Sequence, residues 1–189
     1  MGRGIRCRHA IVLAAGLVAG QLSIAPATAD FDSDNRDCFA REYRGQKRVD
    51  ACTRVINAGR LQGHDLALAL QARAEGYRIT EQYESALVDF DRAIEIDPGV
   101  ALTYANRAEA HRMLGHYDQV IADTTRAIRL DPSSNAFYAV RGLAYEKKND
   151  LVRARADYKK ALALPVSKAA DGPWGQDVAR ARLKALGDD

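Results

Sequence analysis

Two Asp-Pro pairs, Asp97-Pro98 and Asp131-Pro132, stand 34 residues apart, and shifting the chain by that interval brings much of it into register with itself. Tyr104-Ala105-Asn106-Arg107-Ala108 falls on Tyr138-Ala139-Val140-Arg141-Gly142. Ala86, Phe90, Ala93 and Ile94 fall on Val120, Thr124, Ala127 and Ile128, and these in turn on Ala154, Tyr158, Ala161 and Leu162. A fixed period of this length constrains the fold more than any local signal. Each unit is too small to bury its own apolar face and must bury it against a neighbour, which is the construction of a solenoid.

Within a unit, the apolar spacing predicts a first helix, a turn at Glu81-Gln82, Gly115-His116 or Asn149-Asp150, and a second helix running back. Antiparallel pairing about that turn sets Tyr104 near Ala127, Tyr138 near Ala161 and Tyr145 near Ala154, so small residues let the helices approach while rings fill the space between. The Asp-Pro pairs suit the start of the following helix. Arg73, Arg107 and Arg141 share one repeat position, and Asp89, Asp123 and Asp157 share another across the hairpin. A catalytic pair is needed once; a pair repeated in every unit reads as three partly shielded ion pairs holding helix to helix.

These residues resemble the tetratricopeptide repeat (TPR) family, whose unit runs aromatic, Leu, small residue, Tyr, then Ala and Phe four apart, then Pro. The first unit supplies Leu70, Arg73, Ala74, Tyr77, Ala86, Phe90, Ala93 and Pro98; the second supplies Tyr104, Arg107, Ala108, His111, Val120, Thr124, Ala127 and Pro132. The third supplies Tyr138, Arg141, Gly142, Tyr145, Ala154, Tyr158 and Ala161, with Pro165 one place early. Arg replaces the Leu throughout, and the middle unit departs further at His111, Val120 and Thr124. The resemblance implies an all-α fold: a right-handed α-solenoid of antiparallel helix pairs with units at 67–100, 101–134 and 135–166. A degenerate helical hairpin over 30–62 precedes them, and a capping helix over 174–187 follows.

The resemblance also implies where such a protein binds. The family's concave groove falls here on Gln71, Glu75, Leu102, Asn106, Glu109, Met113, Val140, Leu143 and Lys147. Relatives that clamp a terminal carboxylate use Lys and Arg deep in this groove. Gln71, Glu75, Ala136 and Val140 stand at the matching places, so that use is not expected. The expected groove is apolar along Leu102, Met113, Val140 and Leu143 with Asn106 as a central amide, suited to an amphipathic helix or an extended apolar peptide.

The two ends of the chain read differently. Arg3, Arg6 and Arg8 precede an apolar run from Ala10 to Gly20, and Ala27-Thr28-Ala29 forms a small-x-small cleavage pattern before Asp30. Residues 1–29 are therefore expected to be a signal peptide cleaved after Ala29, and the mature protein to be exported, periplasmic if the source is Gram-negative. The apolar run is shorter than the roughly 20 residues a bilayer span needs, so no membrane span is expected after cleavage. Of 28 basic and 25 acidic residues, three basic ones lie in that segment, leaving 25 against 25, a balance with no general attraction for nucleic acid.

Two cysteines then remain in an oxidising compartment, Cys38 and Cys52, each seven residues from Gly45. A hairpin bent at that glycine sets the thiols face to face as a disulfide. Strict extension of the repeat register bends it about one residue earlier and sets Cys52 opposite Asn35 instead. The glycine-based bend is favoured here, because Gly is the natural turn residue. Residues 30–35 read as polar and frayed, 36–43 and 46–59 as the two helices, and 59–64 as the connection onward. Beyond Pro165, residues 167–175 read as a loop, and Gln176 to Leu186 as a helix presenting Ala179, Leu183 and Leu186 on one face. That helix caps the last unit; the alternative has it occupying the groove as an autoinhibitory segment.

No arrangement in the sequence asks for catalysis or a cofactor. There is no glycine-rich phosphate loop, no Gly-x-Ser-x-Gly and no Cys/His zinc spacing, and the tyrosines recur at repeat positions as core. His111 and His116 invite a metal reading with Glu109 nearby. Yet His111 takes the place of Tyr77 and Tyr145, His116 lies in the turn, and a spacing of five along a helix separates them, so no metal site is expected. His64 reads as a lone loop residue. The expected function is a non-catalytic scaffold that binds a protein or peptide segment; a structural envelope module acting through its convex face or termini is the alternative.

Overall fold

The computed structural model describes residues 31–40, 42, 44–166 and 173–187, so the expected signal peptide, 1–29, lies outside them, as do residues 167–172 of the expected loop. The described residues form helices and turns, with no strand among them. In order they are α1 (Phe31–Phe39), α2 (Gln46–Asn57), α3 (Gly63–Ile79), α4 (Tyr83–Ile96), α5 (Ala101–Met113), α6 (Tyr117–Leu130), α7 (Asn135–Lys147), α8 (Leu151–Ala163) and α9 (Trp174–Ala185). Each packs on its sequence neighbours. The odd-numbered helices also touch one another in series, α1 on α3, α3 on α5, α5 on α7 and α7 on α9, whereas among the described residues no even-numbered pair does. The odd helices therefore form the inner wall of an α-solenoid, and the even ones splay along its outside.

The core follows the repeat. Ala86, Phe90 and Ala74 form one buried cluster, Tyr104 and Ala127 another with Phe137, and Tyr138, Tyr145, Ala154, Tyr158 and Ala161 a third that continues into Ala179 and Leu183 of α9. Small residues at the crossings matter because the helices approach closely. A Cβ added at Gly142 would lie 2.6 Å from Cε1 of Tyr158. That ring cannot easily retreat, since its hydroxyl donates to Glu146 at 2.8 Å.

The three inter-helix turns share one geometry. Glu81, Gly115 and Asn149, one repeat apart, have φ of 62°, 77° and 60°, the left-handed turn that ends a helix. The next amide then bonds back five residues: Gln82 to the Tyr77 carbonyl, His116 to His111 and Asp150 to Tyr145, each at 2.9 Å. The Asp-Pro pairs behave otherwise than expected. Asp97 and Asp131 stand at the C-terminal ends of α4 and α6, where their carboxylates accept from Gly99 N at 3.1 Å and Ser133 N at 2.9 Å, closing side-chain turns instead of capping the next helix. Among the described helices, the cap made by a side chain is that of Asp150, which accepts from Arg153 N.

At the N-terminus, helix α1 begins at Phe31, earlier than the polar sequence suggests. Phe31 packs on the cluster of Cys38, Ala51, Cys52, Val55 and Ala69 and lies under the Arg60 guanidinium at 4.1 Å. Asp34, buried, accepts from Arg54 at 2.7 Å. These contacts order a stretch whose composition reads as frayed. Cys38 and Cys52 are bonded across the hairpin, which turns at Gly45 (φ 56°), so the glycine-based bend holds and the strict repeat register does not. Helix α3 starts at Gly63, inside the expected connection, and is 17 residues long where α5 and α7 have 13. Four residues is about one turn of helix, so the extra length preserves the packing face. His64, at its start, pairs with Asp97 at 2.6 Å.

Two outcomes follow from this packing. Gly142→Ala should lower stability by about 1–3 kcal/mol in urea unfolding, because overpacking against the pinned Tyr158 outweighs the ~1 kcal/mol that alanine gains over glycine inside a helix. A stabilised variant would mean that α7 and α8 can move apart freely. Reduction of the disulfide, worth ~3 kcal/mol by loop closure, should make 31–57 the first segment to exchange its amide protons while α5 to α7 stay protected. Hydrogen exchange with and without reductant reads this out; an unchanged N-terminal pattern would contradict it.

Candidate functional site

The inner wall carries a groove of about 930 Å³. It spans from Phe39 at the end of α1, across Leu68, Gln71, Ala72 and Glu75 of α3 and Ala101, Leu102 and Asn106 of α5, to Phe137 of α7. Ser133, Ser134, Pro165 and Val166 close the far side, and Arg48 and Cys38 stand at the near end. Phe39, Leu102 and Val166 are 44%, 52% and 50% exposed, and all three face this one cavity. Gln71 is fixed by the Thr103 hydroxyl, which donates to its Oε1 at 2.7 Å and so links α3 to α5. The Arg48 guanidinium donates to the Ala40 carbonyl at 2.9 Å and holds the end of α1 in place. The half-buried Asn106 amide makes no hydrogen bond to any described residue.

Four of the residues expected in the groove line this cavity: Gln71, Glu75, Leu102 and Asn106. The other five lie outside it. Val140 packs into the cluster of Ala108, Val120 and Ala144, and Leu143 against the cluster that α9 completes. Glu109 is held by Arg112 at 2.7 and 2.8 Å, while Met113 and Lys147 are exposed. Helix α9 accounts for Leu143. It lies against both α7 and α8, in the place the first helix of another unit would take, and covers Leu143 of α7. The groove is correspondingly displaced toward the N-terminus. There Phe39 and Arg48, outside the repeat, supply its end wall, and no period in the sequence marks them.

Helix α9 is held at one carboxylate. Glu146 of α7 accepts from Arg182 of α9 at Nε (3.0 Å) and at Nη2, and from the Tyr158 hydroxyl of α8. The Arg182 guanidinium holds the Glu146 carboxyl below the ordinary glutamate range, and burial pushes the Tyr158 hydroxyl up. Arg155 adds a bond to the Leu186 carbonyl at 2.7 Å.

The turn histidines sit closer than their spacing implies. The backward bond at Gly115 folds His116 onto His111, and their Nδ1 atoms stand 3.4 Å apart with ring centroids 5.6 Å apart. A spacing of five separates side chains along a continuous helix, but not across this turn. Among the described residues no group of three or more His, Cys, Asp or Glu is placed to share a metal ion, and no helix is long and apolar enough to cross a membrane.

Residues 136–165 match the tetratricopeptide repeat family model. No curated protein matches the chain. Among solved structures, the second TPR of Spaghetti (RPAP3), bound to the HSP90 peptide SRMEEVD, is 33% identical with a TM-score of 0.51, over 52% of this chain and 92% of that one. The second TPR domain of human RPAP3, in complex with the HSP70 peptide SGPTIEEVD, is 29% identical with a TM-score of 0.54, over 62% and 97%. The Arabidopsis OM64 TPR domain is 27% identical with a TM-score of 0.57, over 65% and 98%.

Because the Glu146 carboxyl titrates lower in the folded protein than in the unfolded one, its contribution is complete above the ordinary glutamate range and is lost as pH falls through the folded value. Helix α9 should thus lose amide protection before α3 to α6 as the pH is taken below that range. Glu146→Gln should loosen α9 already at neutral pH and flatten the acid dependence. An α9 that opens together with the whole solenoid in both proteins would remove Glu146 from this role.

Proposed function

Since the chain belongs to the tetratricopeptide repeat family, we propose that it is a non-catalytic scaffold holding a segment of another protein in the groove between α1, α3, α5 and α7. The observation that carries this reading is the cavity itself. Three large apolar side chains, Phe39, Leu102 and Val166, stand exposed around the unbonded Asn106 amide, a combination that leaves both apolar area and a polar anchor for a guest. Two of the similar TPR structures hold peptides, both ending Glu-Val-Asp. Among the described residues the cavity lining holds one cation, Arg48, whose Nη2 donates to the Ala40 carbonyl, and the neighbouring Arg78 and Arg112 are taken by Glu75 and Glu109. An extended, largely apolar segment fits this lining better than an acidic tail.

Export of the protein belongs to the same proposal. The signal-like residues 1–29 and the buried Cys38–Cys52 pair both support an oxidising destination, periplasmic if the source is Gram-negative. A second reading, an envelope module acting through its outer side, draws on Val88 and Val152, which are 67% and 80% exposed on the outer helices α4 and α8.

Affinity capture from envelope extract should separate the two. Partner proteins recovered by the wild type should be lost with Leu102→Glu/Asn106→Ala and retained with Val88→Ser/Val152→Ser. Equal recovery by the groove variant and the wild type would rule the groove out.

A further inference from the structure

Each unit joins two residues at its inter-helix turn, five apart, through the same backward backbone bond. In the first and third units they are Tyr77 with Gln82 and Tyr145 with Asp150; in the middle unit they are His111 and His116. The separation of the two Nδ1 atoms is informative. An N–H donor ordinarily lies about 2.7–3.2 Å from its acceptor, so 3.4 Å is long for a hydrogen bond between the rings. Two imidazole nitrogens at roughly 2.0–2.1 Å from a tetrahedral ion stand about 3.3–3.4 Å apart, which is the spacing found.

We propose that His111 and His116 chelate one divalent ion of the zinc–copper class through their Nδ1 atoms, with water completing its shell. Imidazole ligands favour zinc, copper and nickel over magnesium or calcium. Glu109 does not contribute, because Arg112 holds both its oxygens. The surrounding charge is favourable. Arg107 is flanked by Asp91 at 2.6 Å and Asp123 at 2.6 and 2.9 Å, so this cluster carries one net negative charge beneath the histidines. His116 is exposed, which opens the site to ions from solvent. The bound ion would tie the end of α5 to the start of α6.

The first unit supplies variants that this turn accommodates: His111→Tyr and His116→Gln, the residues found at Tyr77 and Gln82. Zinc titrated into the full chain against a chromophoric chelator should reveal one ion per chain. Each variant should weaken it by about tenfold or more, while His64→Gln leaves it unchanged. Zinc should raise the melting temperature of the wild type and of neither turn variant. Metal-free melts similar to wild type would show that the variants fold. Binding that survives both substitutions, or no saturable binding below about 1 mM zinc, would overturn the proposal.

Discussion

One arginine per unit determines how the helices sit. Arg73 donates through Nε and Nη2 to Asp89 at 2.7 Å and through Nη1 to Thr53 of α2 at 3.3 Å. Arg107 does the same with Asp123 and with Asp91 of α4, and Arg141 with Asp157 and with Thr125 of α6. Each guanidinium therefore joins three helices: its own, its hairpin partner and the outer helix of the preceding unit. The planar fork can satisfy all these acceptors in only one register. The aspartates are nearly buried, at 5–8% side-chain exposure, and the hydrogen bonds each arginine donates to its aspartate raise the arginine pKa further, so the guanidinium stays charged across the accessible pH range. Losing one partner would strand a charge the thin core cannot solvate, a cost of about 3–5 kcal/mol for a fully buried pair and less here, where the arginines remain 16–20% exposed.

The pairing within each unit was legible because repetition identifies it: Arg73, Arg107 and Arg141 opposite Asp89, Asp123 and Asp157. The link to the preceding unit was not, since its acceptor changes from Thr53 to Asp91 to Thr125 and shows no single residue type. The same distinction runs through the fold. Tyr104 on Ala127 and Tyr145 on Ala154 follow from period and antiparallel geometry. The start of α1 at Phe31 does not, because Asp34 is ordered by a partner, Arg54, that lies 20 residues on and belongs to no repeat position.

The groove was half legible for a related reason. Of the residues that family geometry assigns to the inner face, Gln71, Glu75, Leu102 and Asn106 line the cavity. That geometry treats every unit alike, whereas a finite solenoid has ends. At the C-terminal end α9 covers Leu143 and engages Glu146, so this part of α7 is closed to a guest. At the N-terminal end the α1–α2 hairpin contributes Phe39 and Arg48. The usable cavity is thus set by what terminates the array as much as by what repeats in it.

The middle unit shows how a poor internal pattern is tolerated. Thr124 occupies the place of Phe90 and Tyr158, fully buried, with its hydroxyl returned to the Val120 carbonyl at 2.6 Å, so the polar group is satisfied but the ring volume is missing. His111 likewise stands where the other units have tyrosine. Against this deficit, Arg107 has the one charged inter-unit acceptor of the three arginines, Asp91, and α5 and α6 are flanked by packed helices on both sides. Apolar packing and ion pairing are therefore traded between units while the helix positions stay the same. Departures from the repeat that leave the backbone undisturbed, as at His111 and His116, are the places where this scaffold can carry chemistry its neighbours lack.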